Sequence, residues 1–330
     1  MKVLIADKFE SEGIAGLERL GCVIADEPGI GTAGLAEALA RTGADVLIVR
    51  STKVPADVIS AATKLKLIVR AGAGYDTIDI KAAGAAGIGV CNCPGTNSVA
   101  VAELTMALLL ECDRRVADQT ADLRAGVWKK KEYGKARGLK GLRLGVVGLG
   151  SIGKAVIQRA QAFEMKVAAW SANMTPARAA ELGVENAGKT REDLLRLARS
   201  SDAVTAHVAA TEATRRMFDG AFFAEMRPGS YFINTTRGSV VDEAALRMAV
   251  QKKGIRCGLD VFEDEPAADG PWKSPTALLP GVYGSHHVGA STDQAQRAVA
   301  EVVVQVVQTF KDTGRFEHCV NAQEIMHRPK

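Results

Sequence analysis

The chain has no apolar run long enough to span a membrane. Glu103 interrupts VAVAELTMALLL and Gln305 interrupts VVVQVVQ, well short of the roughly 18 uninterrupted apolar residues of a spanning helix. The opening MKVLIADKFESEG reaches Asp7 before an apolar leader can build up, so a cytoplasmic protein is expected. Charge bias is also missing: 42 Lys and Arg stand against 38 Asp and Glu, a formal net charge of +4 over 330 residues. That offers no general basic surface for nucleic acid. The six cysteines, Cys22, Cys91, Cys93, Cys112, Cys257 and Cys319, form no CxxC pair, and CNC at 91–93 has the wrong spacing for a zinc knuckle. Reduced, buried thiols are expected. The adjacent His286 and His287 do not suggest a metal either, because neighbouring side chains diverge on a strand or helix and cannot easily converge on one ion. No internal repeat or low-complexity segment occurs, which excludes solenoid architectures.

What the sequence does contain is alternation. Short β-branched runs, KVLIA (2–6), CVIA (22–25), VLIV (46–49), LIVR (67–70) and GVCN (89–92), and later RLGVVG, KVAAW, AVTAHV, YFINTT and GLDVF, are separated by longer amphipathic stretches. This is the pattern of parallel sheets with crossover helices, an α/β class. A chain of this length is too long for one core, so two open parallel-sheet domains are expected. Two long helical patterns mark the seam. One starts at the cap-type residues Asn97 and Ser98 and runs through VAVAELTMALLLECDRRVADQ; the other starts at Ser291 and Thr292 and runs through DQAQRAVAEVVVQVVQTF. If the second returns the chain to the first sheet, the first domain is discontinuous, comprising 1–98 and 293–330, with 99–292 inserted. The basic stretch 124–141 reads either as a solvated arm or as a reach toward an anionic substrate.

The inserted segment carries a dinucleotide fingerprint. Gly148, Gly150 and Gly153 stand in GxGxxG spacing after an apolar strand and, with Ser151 and Ile152, open a helix that leads to another strand. The first glycine permits the turn, the second lets a pyrophosphate approach the backbone, and the third lets helix and strand pack closely. NAD is the cofactor this implies. Where an acidic residue ordinarily ends the second strand to bind the adenine ribose, the sequence has Ser171, and Arg178 follows in the next element. NADP is therefore also open.

Three motifs follow in order: INTTRGSVVDEAAL (233–246), GLDVFEDEP (258–266) and GSHHVGAST (284–292). With the fingerprint before them, the chain resembles the D-isomer-specific 2-hydroxyacid dehydrogenases over nearly its full length, and within that family the branch that oxidises 3-phospho-D-glycerate to 3-phosphooxypyruvate for serine synthesis. The resemblance implies a Rossmann dinucleotide-binding domain inserted into a flavodoxin-like substrate-binding domain. It makes Arg237, Glu265 and His287 the catalytic residues and faces Asp260 to the nicotinamide carboxamide. It adds His207, Thr235, Thr236 and Gly289, along with Arg237 and His287, to the cofactor site. It assigns Arg50, Arg70, Asn97 and Lys130 to the substrate and its phosphate, and the backbone of Ala71, Gly72, Ala73 and Gly74 to the substrate carboxylate. A homodimer through the helix after Asn97 and the basic arm is implied, and no added regulatory domain is expected. His286 stands where the family commonly has proline, Thr77 where asparagine is frequent, and Tyr75 where the phosphoglycerate branch commonly has valine.

The chemistry gives these residue types their reason. Oxidising a 2-hydroxy acid removes a hydride from C2 and a proton from the hydroxyl, which calls for a base that works near neutrality. A carboxylate bonded to a histidine fixes its tautomer and favours the imidazolium. An arginine fork holds a carboxylate bidentately. Two alternatives remain at this stage: a glyoxylate or hydroxypyruvate reductase, and a dinucleotide-sensing binding protein of the corepressor kind that shares the fold.

Overall fold

The β-branched runs become strands because, in a parallel sheet covered on both faces, every side chain must be apolar. The computed structural model of the protein describes residues 1–266 and 269–326. Its first sheet consists of β1 (Lys2–Ile5), β2 (Val23–Asp26), β3 (Val46–Val49), β4 (Leu67–Arg70) and β5 (Gly89–Cys91), in the order β2-β1-β3-β4-β5. The second consists of β6 (Arg143–Val147), β7 (Lys166–Trp170), β8 (Glu185–Asn186), β9 (Ala203–Ala206), β10 (Tyr231–Asn234), β11 (Arg256–Leu259) and β12 (Val282–Gly284), in the order β12-β11-β10-β9-β6-β7-β8. All registered pairings are parallel. The order reverses beside β1 in the first sheet and beside β6 in the second, and ligands of open α/β sheets bind at the carboxyl ends of strands near such switch points.

The chain divides into two compact units. One comprises Met1–Asn97 together with the chain from Ser291 onward, the other Ser98–Ala290. The first is a flavodoxin-like unit and the second a Rossmann unit. In the first, the helix Asp293–Thr313 returns to the sheet and buries Val299, Val303, Val306 and Val307 against Val3, Ile5, Val46 and Val69. Each such side chain is worth about 1.5–3 kcal/mol relative to exposure. Thr292 caps this helix, its hydroxyl accepting the Ala295 amide at 3.2 Å. In the second unit, Phe218, Phe222, Phe223 and Phe232 pack edge to face beneath the sheet. Among the described residues, no helix is long and apolar enough to cross a membrane, and no group of three or more His, Cys, Asp or Glu is placed to hold a metal ion.

Four sequence expectations need correction. The helix after Asn97 does not run unbroken to Gln119. It ends at Arg114, and a second helix, Val116–Arg124, begins after Arg115, whose φ of +55° is left-handed. Arg115 is held in that turn by Asp118 at 2.9 Å and Glu132 at 2.7 Å. Asn97 and Ser98 do not cap the first helix: Asn97 Oδ1 and Ser98 Oγ are buried with no hydrogen-bond partner. The strand expected at GLDVF covers Arg256–Leu259 instead, so Asp260 leaves the sheet. Finally, five cysteines are buried as expected but Cys319 is half-buried.

Candidate active site

The glycine loop joins β6 to the helix Ser151–Ala162. Gly148 has φ +105°, and a side chain there would collide with the carbonyl of His207; a side chain on Gly153 would collide with the carbonyl of Gly148. Gly150 differs, because nothing lies within 4 Å of where its Cβ would stand. It is the helix N-cap and supplies no side-chain acceptor. The first amides of the helix, at Ser151 and Ile152, therefore stand at its positive end beside the open space at Gly150, an arrangement that suits a pyrophosphate. His207 borders this loop. Its Nε2 lies 2.9 Å from Thr205 Oγ1, while Nδ1 is buried without a partner. Burial pushes the imidazole down to about 3, so the ring is neutral near pH 7. A cradle cleared of side chains and an orphaned buried nitrogen both fit a dinucleotide.

At the end of β7, Ser171 Oγ receives the Asn173 amide at 3.4 Å. The next helix, Pro176–Glu181, turns Arg178 back toward the glycine loop, where Nη2 donates to the Leu149 carbonyl at 3.0 Å. The distance along the sequence between Ser171 and Arg178 conceals this return.

The loop after β10 is folded by Asn234, a fully buried residue that motif reading passed over. Its Oδ1 accepts the Thr236 amide at 3.0 Å and hydroxyl at 2.7 Å, and its Nδ2 donates to the Arg237 carbonyl at 2.9 Å. Thr105 gives its one hydroxyl proton to the Val101 carbonyl at 2.8 Å, so Thr235 must be the donor in the 3.0 Å contact between the two threonines. Arg237 Nη1 donates to the Thr236 carbonyl at 2.8 Å. Gly238 has to be glycine because a Cβ would overlap the Phe262 carbonyl, and this keeps the Arg237 loop against residues 262–263.

Asp260 is 2 % exposed and organises the loop that carries the histidine doublet. Its Oδ1 accepts Ser285 Oγ at 2.7 Å and the Val288 amide at 2.9 Å, its Oδ2 accepts the Gly289 amide at 2.9 Å, and its carbonyl accepts the His287 amide at 2.8 Å. Held this way, His287 takes φ +54°, a left-handed conformation uncommon for a side chain of this size. Its Nδ1 lies 2.7 Å from Glu265 Oε2, and Glu265 Oε1 accepts the Phe262 amide at 2.8 Å. Burial raises the Glu265 carboxyl, but the His287 ring, the Phe262 amide and the Arg237 charge outweigh it and leave it below the ordinary range. With Nδ1 committed to the carboxylate, Nε2 is the nitrogen left to exchange a proton. His286 is exposed and makes no side-chain hydrogen bond or ion pair among the described residues. Asp260, expected to face a carboxamide, thus has both oxygens engaged in holding the histidine loop.

In the other unit the same device recurs, with a residue that sequence reading assigned no site role. Asp7, just past β1, accepts the amides of Arg50, Ser51 and Thr52 at 2.6, 3.0 and 3.0 Å and the hydroxyls of Ser51 and Thr52 at 3.1 and 2.9 Å. This sets the loop on which Arg50 stands, with Nη2 3.4 Å from Ser291 Oγ. After β4, Gly72 has φ +146°, and the Arg70 guanidinium occupies the place a Cβ would take. The expectation that all four amides of residues 71–74 serve a ligand does not hold. Ala71 donates to Val49 and Gly72 to Arg70, at 2.7 and 2.8 Å, which leaves Ala73 and Gly74. Lys130 is exposed in the short helix Lys130–Tyr133 and bonds to none of these residues. That helix is tied down instead through Tyr133 to Asp122 at 2.5 Å and Glu132 to Arg115.

The chain is similar to known proteins in both sequence and fold. Residues 106–289 match the D-isomer specific 2-hydroxyacid dehydrogenase, NAD binding domain. The chain is 38% identical over 329 residues to a D-3-phosphoglycerate dehydrogenase of Methanocaldococcus jannaschii, covering 98% of this chain and 60% of that protein. It is 42% identical over 273 residues to a hydroxypyruvate reductase of Thermotoga maritima, covering 82% and 85% respectively. The chain therefore spans only about 60% of the length of the phosphoglycerate relative. A solved structure of a Thermus thermophilus protein superposes with a TM-score of 0.84 at 32% identity, covering 96% of this chain and 98% of that one. With an NAD-binding domain that matches by sequence and a full-length fold that matches by structure, the chain belongs to the D-isomer specific 2-hydroxyacid dehydrogenase family.

Proposed function

We propose that the protein is an NAD(P)-dependent D-2-hydroxyacid dehydrogenase whose substrate is 3-phospho-D-glycerate. The observation that carries this reading is the 2.7 Å His287–Glu265 pair on a loop fixed by Asp260, in the unit that holds the dinucleotide cradle. His287 Nε2 takes the C2 hydroxyl proton, and Glu265 stabilises the imidazolium that results. Arg237 holds the substrate carboxylate and polarises the C2 oxygen. The nicotinamide dinucleotide that this unit would hold would supply the acceptor for the C2 hydride. Its diphosphate belongs on Gly148–Gly153, and His207, Ser171, Thr235, Thr236 and Gly289 complete its site. Arg50, Arg70, Asn97 and Lys130 are assigned to the phosphate end of the substrate, a dianion that needs such a cluster, and Ala73 and Gly74 to the carboxylate. The test is a turnover matrix of 3-phosphoglycerate, glycerate, glyoxylate and 2-oxoglutarate with each cofactor. Turnover of glyoxylate without 3-phosphoglycerate overturns the substrate assignment.

That second reading, a glyoxylate or hydroxypyruvate reductase, draws on Ser171 and on Arg178, which folds back to Leu149. We assign Arg178 to the 2′-phosphate of NADP. Calorimetry of cofactor binding checks this, since Arg178→Ala should weaken NADP about tenfold and leave NAD unchanged. The assembly proposed is a homodimer. The helix Val116–Arg124 buries no residue, and Val116, Leu123, Val127 and Trp128 are exposed, Trp128 at 77%. Trp128→Glu should yield monomers in light scattering if this face pairs with a second copy.

A further inference from the structure

The described chain beyond the helix Asp293–Thr313 is fastened to the first sheet. It lies antiparallel along β5, the outermost strand of the first sheet, and covers an edge that would otherwise present unpaired backbone. Asn321 is buried and fastens it: Oδ1 accepts the Val90 amide at 2.8 Å and Nδ2 donates to the Ile88 carbonyl at 2.9 Å. Within this strip Cys91 and Cys319 stand directly opposite each other. The backbone bonds flank the pair, Asn92 to His318 at 3.3 Å and Val320 to Val90 at 2.8 Å, rather than passing through it. In this kind of antiparallel pair the side chains come closest, with Cα atoms about 4.5 Å apart. A disulfide accepts Cα separations of about 4.4–6.8 Å.

We propose that Cys91 and Cys319 form an oxidative modification site, closing reversibly to a disulfide that pins the C-terminal segment to the edge of β5. The two thiols differ in access. Cys319 is half-buried, whereas Cys91 is fully buried. Burial, and then the neighbouring Cys319, push the Cys91 thiol far up, so it does not react first. The Cys319 thiolate attacks hydrogen peroxide, the O–O bond breaks, and water leaves with a sulfenic acid on Cys319. Cys91 then attacks that sulfur, the S–O bond breaks, and a second water leaves. Two electrons pass from the two sulfurs to one peroxide, and both thiol protons end in water. A thiol such as dithiothreitol reverses the bond by exchange. Cys112 and Cys257 also adjoin each other, but both are fully buried and offer an oxidant no entry.

The position has a consequence for the fold. Cys91 lies before the inserted unit and Cys319 after it, so the bond joins the two sequence segments of one unit. It also lies beside Asn92 and Cys93, which anchor the turn at Gly72 and Ala73 through bonds of 2.9 and 2.6 Å. The proposal stands apart from the activity proposed above and needs no assay of it.

Full-length protein should be exposed to hydrogen peroxide, blocked with N-ethylmaleimide, digested with trypsin and analysed by mass spectrometry without reduction. The expected product is one intramolecular link between the peptides carrying Cys91 and Cys319. It should be retained in Cys93→Ser and Cys112→Ser, be absent in Cys319→Ser, and be reversed by dithiothreitol. Its formation should raise the thermal midpoint by about 5 °C, since a cross-link across so long a loop restricts the unfolded chain. Over-oxidation of Cys319 alone, a link through Cys93, or dimers joined through Cys319 would each overturn the proposal. Cys319→Ser is the decisive variant because a half-buried position tolerates the change.

Discussion

Two carboxylates at strand ends do the same work in the two units with different results. Asp7 follows β1 and gathers three consecutive amides and two hydroxyls of residues 50–52. Asp260 follows β11 and gathers two amides and one hydroxyl of residues 285–289. The loop around Asp7 presents Arg50 in an ordinary backbone conformation, whereas the loop around Asp260 holds His287 at φ +54°. Holding a charge near a ligand requires only that the loop be kept in place. The proton transfer proposed for His287 would require one orientation of one nitrogen, and the left-handed backbone there carries strain of about 1–3 kcal/mol. A second carboxylate, Glu265, then fixes the ring, whereas among the described residues the Arg50 guanidinium meets only the Ser291 hydroxyl at 3.4 Å.

The comparison can be tested by removing what each loop carries and then what holds each loop. The largest effect is expected for His287→Ala, a loss of about a hundredfold to ten-thousandfold in kcat, measured by steady-state turnover. Asp260→Ala should follow, with kcat down about tenfold to a hundredfold. It strands the buried Gly289 amide and the part-buried Val288 amide and releases the strained backbone. Because Asp260 acts through His287, KM for the hydroxy acid should move far less than kcat; an equal rise in KM would argue against a positioning role. Asp7→Ala should show the opposite split, with KM for an anionic substrate up about fivefold at nearly unchanged kcat, the size of one lost loop-ordering interaction. The smallest effect is His286→Ala, within about twofold, since no hydrogen bond or ion pair engages that ring among the described residues.

Acid should sharpen the contrast further. Burial raises the Asp7 carboxyl, but the amides of Arg50 and Thr52, the Thr52 hydroxyl and the Ser51 amide more than reverse this and hold it below the ordinary carboxylate range. A carboxyl lowered in the folded state contributes stability that is fully present above its unfolded pKa and is lost as pH falls through the folded value. Urea unfolding should therefore separate the parent from Asp7→Asn by a constant margin near pH 7, and the margin should shrink in acid, once the pH falls below the unfolded carboxylate pKa of about 3.9. A margin that widened in acid would contradict the assignment.

The sequence carried a good deal of this. Strand positions were legible because a sheet buried on both faces demands apolar runs, and VLIV and LIVR became β3 and β4 with the bounds expected. The glycine fingerprint was legible because steric exclusion acts within a few residues, and the clashes at Gly148 and Gly153 are of that local kind. Other features escaped because their partners lie far along the chain. Asn234 looks like an ordinary strand residue until it folds the Arg237 loop. Arg178 lies 29 residues from Leu149, and only the direction of its helix brings it back. The break at Arg115 was hidden because the surrounding ECDRRVADQ contains no glycine or proline to mark it, and Glu132, which helps hold it, lies 17 residues on.

The sequence by itself determined the α/β class through its periodicity, the dinucleotide loop through its glycine spacing, and the reading of the ordered motifs through their resemblance to a known family. Tertiary structure alone decided that Asp260 holds the loop on which His287 takes φ +54°, that Ala71 and Gly72 give their amides to the fold, and that Cys319 faces Cys91. Each of these choices depends on where a loop leaves its sheet, and that exit is set by hydrogen bonds between residues distant in sequence, beyond the reach of any local pattern.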